Sequence, residues 1–320
     1  MSYQYTSLIE SEYGLTGPLV FNQVHDGPDN NIYIVTDGKN NKYALRESKR
    51  VGKNVVFEIE LLIVLAKAGF SSPEPLLTRS GSYFIIAGAI QLVLFTYIKG
   101  TQVNKLEPGH LDGDVIEIGA KKLGEFHRLT NGLRIAAIPT RTLFTEYDRF
   151  LKIDKEKLRQ FKNYEIVFDQ ANNFYKDARS KIDSKNELYG IIHNDYRVQN
   201  LIFNGNDCFI IDFDWACYGP LLKDLGLAIA EWSMYTRSAG SSPEATERFI
   251  RAYNETAPHV VTYSEDLIFW ICFACLSDTC TFLVDTIEGR YNDKIITDVD
   301  QCYMYRKFKY FYNELINKHD

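Results

Sequence analysis

The stretch between residues 190 and 214 constrains the fold of this 320-residue chain more than any other part of its sequence. Residues 201–203 and 208–211 form two short apolar runs, and the Asn-Gly-Asn-Asp sequence between them has the composition of a tight turn. We therefore predict a β-hairpin here, with a strand register that the turn determines.

The predicted hairpin gathers polar side chains at its open end. If the turn consists of residues 204–207, Asn200 pairs with Ile211 across the two strands, and Asp212 lies beside Asn200. Asp195 precedes them on the segment that leads into the hairpin. Three oxygen-bearing side chains should therefore converge at one end of a small ribbon.

Such a cluster suits the chemistry of phosphoryl transfer. Mg²⁺ prefers hard oxygen ligands and bridges nucleotide phosphates, while a separate carboxylate orients the attacking hydroxyl group and accepts its proton. The spacing of His193, Asp195 and Asn200 is that of the kinase catalytic loop, and Asp212 follows where the metal-binding aspartate of kinases is expected. Jointly, these residues predict a phosphotransferase.

A specific resemblance is carried by two segments, Ile-His-Asn-Asp-Tyr-Arg-Val-Gln-Asn at 192–200 and Ile-Asp-Phe-Asp-Trp-Ala-Cys-Tyr-Gly-Pro at 211–220. Together with residues 124–129 and 223–226, they resemble the superfamily of aminoglycoside phosphotransferases, choline kinases and type-II homoserine kinases. The similarity extends over residues 20–285 and implies an ATP-dependent enzyme, with ATP or GTP as phosphoryl donor and Mg²⁺ as cofactor.

The same resemblance implies an α+β, bilobal, protein-kinase-like fold. Residues 1–97 would form a small, β-rich, nucleotide-binding lobe with one helix, and residues 98–320 a larger, mainly α-helical lobe for catalysis and substrate binding. The apolar patterning agrees with this division. It predicts a hairpin of strands at 31–36 and 42–46 and a helix over 57–68. Further predictions are strands at 83–87 and 92–97, helices from about 105 to 181, a β interlude at 189–213, and helices to the end.

The resemblance also assigns a role to each polar residue of the motif. Asp195 would be the catalytic base or the carboxylate that positions the hydroxyl group, and Asn200 and Asp212 would hold Mg²⁺. His193 would be structural and would bond the catalytic loop to the metal-binding strand. Asp224 would brace the catalytic loop.

Nucleotide contacts are expected in the first lobe. By resemblance, residues 29–31 would form the loop that covers the phosphates, and the backbone of residues 92–98 would bond the base. Many relatives carry a phosphate-binding lysine where this chain has Arg46, and its helix partner would be Glu58, although helical phase alone fits Glu60 equally well. The predicted nucleotide contacts are Asn30, Asn31, Arg46, Glu58, Phe95 and Tyr97.

The acceptor is expected in the helical lobe, near the catalytic loop. Residues 252–289 contain Asp278 but neither arginine nor lysine that could meet a substrate carboxylate, which disfavours homoserine and favours an amine-bearing acceptor such as an aminoglycoside or amino alcohol. Asp214 either binds a second metal ion or lines the pocket. The predicted acceptor contacts are Asp214, Glu231, Trp232 and Asp278.

Composition limits which binding partners and which cellular location can be expected. The formal net charge of −6 and the sequence pI of about 5.6 disfavour nucleic-acid binding, since a duplex-binding domain usually carries a basic face. The apolar run at 83–98 is too short to span a bilayer, and no leader sequence is recognisable at the start. The six scattered cysteines read as buried free thiols, so a cytoplasmic, reduced protein without a membrane partner is expected.

Three alternatives stay open at this point. The chain could be a homoserine-kinase-like metabolic enzyme, or a nucleotide-binding regulator that has lost catalysis, although the intact Asp195, Asn200 and Asp212 argue against the latter. It could also be a non-haem iron oxygenase that uses His193, Asp195 and His259. Such an enzyme needs a barrel of short strands, whereas the sequence after residue 220 favours helices.

Overall fold

The N-terminal part is built around one antiparallel sheet. A computed structural model describes residues 4–26, 30–49, 55–103, 113–184, 188–233, 242–290 and 296–317. The elements of this part are α1 (Thr6–Tyr13), β1 (Val20–Asp26), β2 (Asn30–Thr36), β3 (Lys42–Ser48), α2 (Val55–Lys67), β4 (Ile85–Ala87) and β5 (Ile90–Thr96). The strand order is β1-β2-β3-β5-β4.

The two faces of this sheet pack against different partners because successive residues of a strand point to opposite sides. On the outer face, Leu45 and Val35 are fully buried in a small cluster with Ile9 of α1. On the inner face, Val93 and Phe95 join the main core of the protein, together with the apolar side of α2. The inner face is therefore the one that looks towards the rest of the chain.

The C-terminal part is mainly helical. Its helices are α3 (Gly113–Thr130), α4 (Thr145–Leu151), α5 (Lys155–Leu158), α6 (Tyr164–Asp183), α7 (Leu221–Ser233), α8 (Pro243–Asn254), α9 (Glu265–Ile287) and α10 (Tyr303–Asn317). α9 lies at its centre and packs against α4, α6, α7 and α10. Gly226 permits the close crossing of α7 over α9, since a Cβ atom there would lie 2.7 Å from the backbone nitrogen of Ile271.

Two short ribbons connect the helices to the cleft. β6 (Tyr189–Ile192) pairs with β9 (Cys217–Pro220), and β7 (Leu201–Asn204) pairs with β8 (Asp207–Ile210). The second ribbon is the predicted hairpin, and its register, with Leu201 opposite Ile210, confirms the predicted one. The turn itself is tighter than expected, because Asn204 and Asp207 still pair with each other.

Among the residues that the structure describes, one helix, α9, is long and apolar enough to cross a membrane by length and composition, with a mean hydropathy of 2.0 over its most apolar window. However, 83% of that window is buried inside the protein, as expected for the core helix of a globular fold. The six cysteines are free and buried, as predicted.

Candidate active site

The loop of residues 193–200, which the sequence predicts to be the catalytic loop, holds Asp195 by hydrogen bonds from two neighbouring side chains. The Asn200 amide nitrogen Nδ2 donates to Oδ2 of Asp195 and to its backbone oxygen, each at 2.9 Å. Arg197 Nε donates to the other carboxylate oxygen, Oδ1, at 2.5 Å. Because the Asn200 amide is fixed in this way, its oxygen Oδ1 is the atom that can serve a metal ion.

Asp212 is the residue after Ile211, whose backbone pairs with that of Asn200 at the open end of the hairpin. The Ile211 backbone N–H donates to the Asn200 carbonyl at 2.9 Å, so Asn200 and Asp212 are brought together as predicted. Asp212 has a left-handed φ of 67°, which is uncommon for a residue with a side chain and typical of functional turns. Desolvation by the surrounding protein, and next the charge of Asp195, raise the pKa of the Asp212 carboxyl group.

Asp214 lies deeper in the same cleft. Asn30 at the start of β2 donates from Nδ2 to Oδ2 of Asp214 at 3.4 Å, and this contact joins the two parts of the chain. Burial raises the pKa of Asp214 well above its ordinary value, and the neighbouring charge of Asp212 adds to this shift. Crowded carboxylates beside an amide oxygen form the hard donor set that Mg²⁺ takes, so these residues fit a divalent metal ion.

His193 connects the loop to the strand before Asp212. Its side chain is fully buried, and Nε2 lies 3.0 Å from the Ile211 carbonyl oxygen. The Asp195 backbone N–H donates to Nδ1 at 3.3 Å. The accepting Nδ1 implies that the proton sits on Nε2, which donates to Ile211. These two contacts are compatible with the structural role predicted for His193.

The start of α7 supports the catalytic loop from behind. Asp224 is fully buried and accepts the backbone N–H groups of His193 at 2.6 Å and of Asn194 at 2.7 Å. Burial alone would raise the pKa of Asp224, but the hydrogen bond from His127 and neighbouring positive charges hold it below its ordinary value. Lys223 donates to the Asn194 carbonyl at 3.1 Å, a contact that the sequence analysis missed.

Arg46 of β3 forms a two-pronged ion pair with Glu58 of α2. Its Nη1 lies 2.7 Å from Oε1 and its Nη2 2.5 Å from Oε2, and both side chains are buried. The partner choice left open by helical phase is thereby resolved, because Glu60 instead accepts the backbone N–H of Ala137 at 2.8 Å. Arg46 Nε is buried without a hydrogen-bond partner, so a further acceptor fits beside it.

The remaining predicted nucleotide contacts separate into two groups. Asn30 lies on the cleft side with Asp214, whereas Asn31 is turned to the opposite face, where its Nδ2 donates to Glu47 at 2.8 Å. The alternation of a strand explains this difference and corrects the prediction for the Asn31 side chain. Phe95 packs on the inner face beside Arg46, and Tyr97, just after β5, is 38% exposed. Asp29 lies outside the described residues.

The predicted acceptor residues also have different environments. Glu231 is buried against Lys307 at 3.2 Å, and Trp232 is buried between Tyr196 and Phe249. Both side chains are buried, so the structure does not support the prediction that they contact the acceptor.

Asp278 is the predicted acceptor residue that connects directly to the catalytic loop. Arg197 Nη2 donates to Oδ2 of Asp278 at 2.7 Å, so one guanidinium group joins Asp278 to Asp195. Arg197 was missed, although its position two residues after Asp195 in the recognised motif was a usable signal.

A cavity of about 320 Å³ opens beside Asp214, and its lining includes Arg46 and Glu58 together with Arg141, Arg149 and Arg290. The sequence analysis missed these last three arginines. They come from separate elements, and no local pattern in the sequence brings them together.

The iron oxygenase alternative does not fit this architecture. Helices α7 to α10 occupy the region where a strand barrel would be needed, and His259 is exposed. Across the residues that the structure describes, no group of three or more histidine, cysteine, aspartate or glutamate side chains is arranged to hold a metal ion, so the donor set near Asp212 depends on the amide oxygen of Asn200 as well.

Comparisons with known proteins agree with the motif. The model of a family described as phosphotransferase enzymes matches residues 20–262. A homoserine kinase of Agrobacterium fabrum is 24% identical over 243 residues, which cover 71% of this chain and 71% of that protein.

Solved structures share the fold. An amicoumacin kinase in complex with AMP-PNP and Ca²⁺ superposes with a TM-score of 0.72 at 14% identity, covering 98% of this chain and 94% of that one. A microcompartment-associated aminopropanol kinase gives a TM-score of 0.63 at 16% identity, covering 96% and 94%. The predicted kinase-like bilobal fold is thereby confirmed.

Proposed function

Because this chain belongs to the phosphotransferase enzyme family, we propose that it transfers the terminal phosphoryl group of ATP, or of GTP, to a hydroxyl group of a small molecule. The observation that carries the proposal is the joint placement of Asp195, Asn200 and Asp212 at the open end of the β7–β8 hairpin. The buried Arg46–Glu58 pair lies in the same cleft, since Arg46 is close enough to Asp212 to influence its pKa.

The chain's own residues support a direct displacement. Asp195 orients the acceptor hydroxyl and takes its proton as the oxygen attacks the terminal phosphorus, while the bond from that phosphorus to the bridging oxygen of the leaving diphosphate breaks. Asn200 and Arg197 keep the carboxylate in one orientation for this task. Arg46, with its free Nε, is placed to bind phosphate oxygens, as the lysine of related enzymes does.

Asn200 and Asp212 would hold Mg²⁺, with Asp214 as a candidate for a second ion. A bound Mg²⁺ supplies neutralisation of the charge that develops on the phosphate oxygens. Residues 1–97 would then be the nucleotide-binding lobe, with the backbone around Phe95 and Tyr97 facing the base, and residues 98–320 the catalytic lobe. A cytoplasmic location fits such an enzyme, and neither nucleic acid nor membrane is needed as a partner.

For the acceptor, we propose a compound that carries an amino group near Asp278. This carboxylate stays beside the catalytic loop, and solved structures of similar fold include an aminopropanol kinase. A homoserine-like acceptor is the second candidate, since the curated relatives include homoserine kinases. The argument against it from residues 252–289 is weakened by Arg197, which meets Asp278 from the catalytic loop and lies outside that segment.

The proposal is tested by measuring nucleotide turnover with Mg²⁺ in wild type and in Asp195→Asn, across a panel of aminoglycosides, choline, homoserine and other hydroxyl compounds. Acceptor-dependent turnover should fall by a factor of about 10²–10⁴ in the variant, as expected for the loss of a general base. Asp169→Asn is the matched control, because Asp169 is exposed on α6, away from the cleft. Undiminished turnover in Asp195→Asn would refute the assignment.

A further inference from the structure

Two helices of the C-terminal part reach the catalytic loop through Arg197. Nε of Arg197 donates to Oδ1 of Asp195 at 2.5 Å, and Nη2 donates to Oδ2 of Asp278 on α9 at 2.7 Å. Nη1 lies 3.4 Å from the hydroxyl oxygen of Tyr303, the first residue of α10. Each nitrogen of one guanidinium group therefore has a different partner, from the loop, from α9 and from α10.

The charge of Arg197 is matched by the protein's own carboxylates. Asp195 and Asp278 flank its one positive charge, and the three side chains are exposed by only 21% for Asp195, 15% for Asp278 and 22% for Arg197. Charges that are so little exposed are screened less than charges at an open surface. Arg197 therefore serves first to hold these two carboxylates.

The planar guanidinium group can pass an orientation from one partner to the next. Its N–H groups belong to one rigid plane, so their directions cannot change independently. When Asp278 and Tyr303 fix the terminal nitrogens, the direction of Nε towards Asp195 is fixed as well. The other oxygen of Asp195 accepts from Asn200, so each oxygen of the carboxylate has its own donor.

The two helices give this support a firm base. α10 packs against α9, and α9 packs against α7. Lys307, one turn after Tyr303 on α10, is buried 3.2 Å from Glu231 of α7, and its ammonium group lies 5.1 Å from the centre of the Tyr303 ring. A buried ion pair thus joins α10 to α7 directly beside Tyr303.

We propose that Asp278 and Tyr303 are positioning residues for phosphoryl transfer. They fix Arg197, and Arg197 holds the carboxylate of Asp195 in the orientation that takes the hydroxyl proton. This inference rests on the proposed function and gives α9 and α10 a part in the reaction with any acceptor. Contact of Asp278 with an acceptor amino group would change the KM for that acceptor, whereas positioning changes kcat, so the two roles can be measured separately.

The test measures steady-state kinetics with Mg·ATP and whichever compound among aminoglycosides, choline and homoserine the wild type turns over fastest. In Asp278→Asn, kcat should fall about tenfold or more, because a misplaced reacting group can cost up to about 10²-fold in rate. In Tyr303→Phe, which loses the longer contact, kcat should fall less. The KM for ATP should stay close to that of wild type in both variants.

Each variant has a matched control on its own helix. Asp266→Asn alters a carboxylate of α9 that is 61% exposed and pairs with Lys181. Tyr305→Phe removes a hydroxyl group of α10 that donates to Gln170 at 3.1 Å. Both controls should keep the kcat of wild type.

A double-mutant cycle tests whether Asp278 acts through Arg197. In an Arg197→Gln background, the further change Asp278→Asn should lower kcat less than twofold, because the group that Asp278 holds is already lost. Arg197→Lys, which keeps the charge but loses the planar fork, is the second background should Arg197→Gln fold poorly. An equal loss in both the wild-type and the variant background would overturn the proposal. A rise in the acceptor KM with unchanged kcat would assign Asp278 to acceptor binding alone and would also overturn it.

Unfolding measurements keep the two proposals distinguishable if no compound is turned over. Asp195→Asn and Asp278→Asn each leave Arg197 with one carboxylate, whereas the double variant leaves its charge without either, which is costly for a group largely removed from water. The fall in the midpoint of urea unfolding should therefore be larger in the double variant than the sum of the two single falls. Such a result without turnover would support the link from Asp278 to Asp195 and count against the proposed reaction. Additive falls would overturn the positioning role.

Discussion

Carboxylates crowd the cleft at the scale of single residues. The charge of Asp195 acts on Asp212, the charge of Asp212 acts on Asp214, and Glu58 adds to the negative potential at both. Desolvation, and next the charges of Asp212 and Glu58, raise the pKa of Asp214 well above its ordinary value, while Arg46 and Arg141 act in the opposite direction. Keeping Asp214 ionised therefore lowers the stability of the metal-free protein, and a bound cation would offset this cost.

Replacing Asp214 should therefore stabilise the metal-free protein. A folded-state pKa above the unfolded value means that the folded state binds more protons, so the free energy of unfolding falls as pH rises from the ordinary value of 3.8 through the raised one. Asp214→Asn removes this penalty. At neutral pH and with chelator present, its Tm should exceed that of wild type by about 2–4 °C, the shift that roughly 1 kcal/mol causes in a domain of 150–250 residues.

Thermal unfolding measured at several pH values checks this expectation. The difference between Asp214→Asn and wild type should grow as pH rises and shrink in acid, while Asp169→Asn should follow wild type throughout. A lower Tm for Asp214→Asn at neutral pH would show instead that Arg141 and Arg46 stabilise the ionised carboxylate.

At the scale of elements, helix α7 acts as the support of the catalytic loop. Its first turn contributes Asp224, which accepts two consecutive backbone N–H groups of the loop, and Lys223, which donates to Asn194. Asn194 itself has a left-handed φ of 68°, a conformation that a residue with a side chain keeps only when its surroundings fix it. The position of Asp195 therefore depends on where α7 begins.

Asp224→Asn should weaken both the fold and the reaction. The amide loses the charge that the two N–H groups of the loop require, at a cost of about 1.5–3 kcal/mol in unfolding free energy, typical of a hydrogen bond to a charged group. We expect a lower midpoint of urea unfolding and a fall in kcat that exceeds any change in the KM for ATP. If stability falls and kcat does not, the support is structural alone and Asp195 is held by other contacts.

The parts of the fold that could be predicted are those whose secondary structure is determined by the pattern of residues nearby in the sequence. The hairpin register followed from residues 200–212 because turn and strands are adjacent in the chain, and the α2 helix followed from its apolar spacing and Gly69, which has a φ of 71°. β9 was not predicted, since Cys-Tyr-Gly-Pro at 217–220 shows no alternation and becomes a strand only by pairing with β6.

The residues of the candidate site also fall into two groups, those that the sequence could predict and those that it could not. Asp195, Asn200 and Asp212 could be predicted because they share one short segment. The side on which Asn31 lies could have been derived from strand alternation relative to Asn30. The grouping of Arg141, Arg149 and Arg290 around one cavity could not be predicted, because these residues come together only through the packing of α4 against α9.

At the scale of the whole molecule, the two lobes are joined by contacts at the cleft and by a common core. Phe57 of α2 packs its ring 5.6 Å from that of Tyr218 in β9, and the Asn30–Asp214 hydrogen bond bridges the opening. The outer face of the sheet has a separate small core around Ile9 and Leu45. A nucleotide held between Arg46 and the residues predicted to bind the metal would therefore add a further link between the two parts.

This predicts that nucleotide and metal together stabilise the molecule more than the nucleotide does alone. At about 100 times the dissociation constant, a ligand that binds the folded state contributes roughly 2.7 kcal/mol, so AMP-PNP with Mg²⁺ should raise the wild-type Tm by several degrees. In Asp212→Asn, AMP-PNP should give the same small shift with Mg²⁺ as with chelator, because a ligand from the helical lobe is lost. Asp169→Asn should keep the full effect. Equal stabilisation of wild type by AMP-PNP with and without Mg²⁺ would instead mean that Arg46 and the strand backbone bind the nucleotide from one lobe, without a metal link across the cleft.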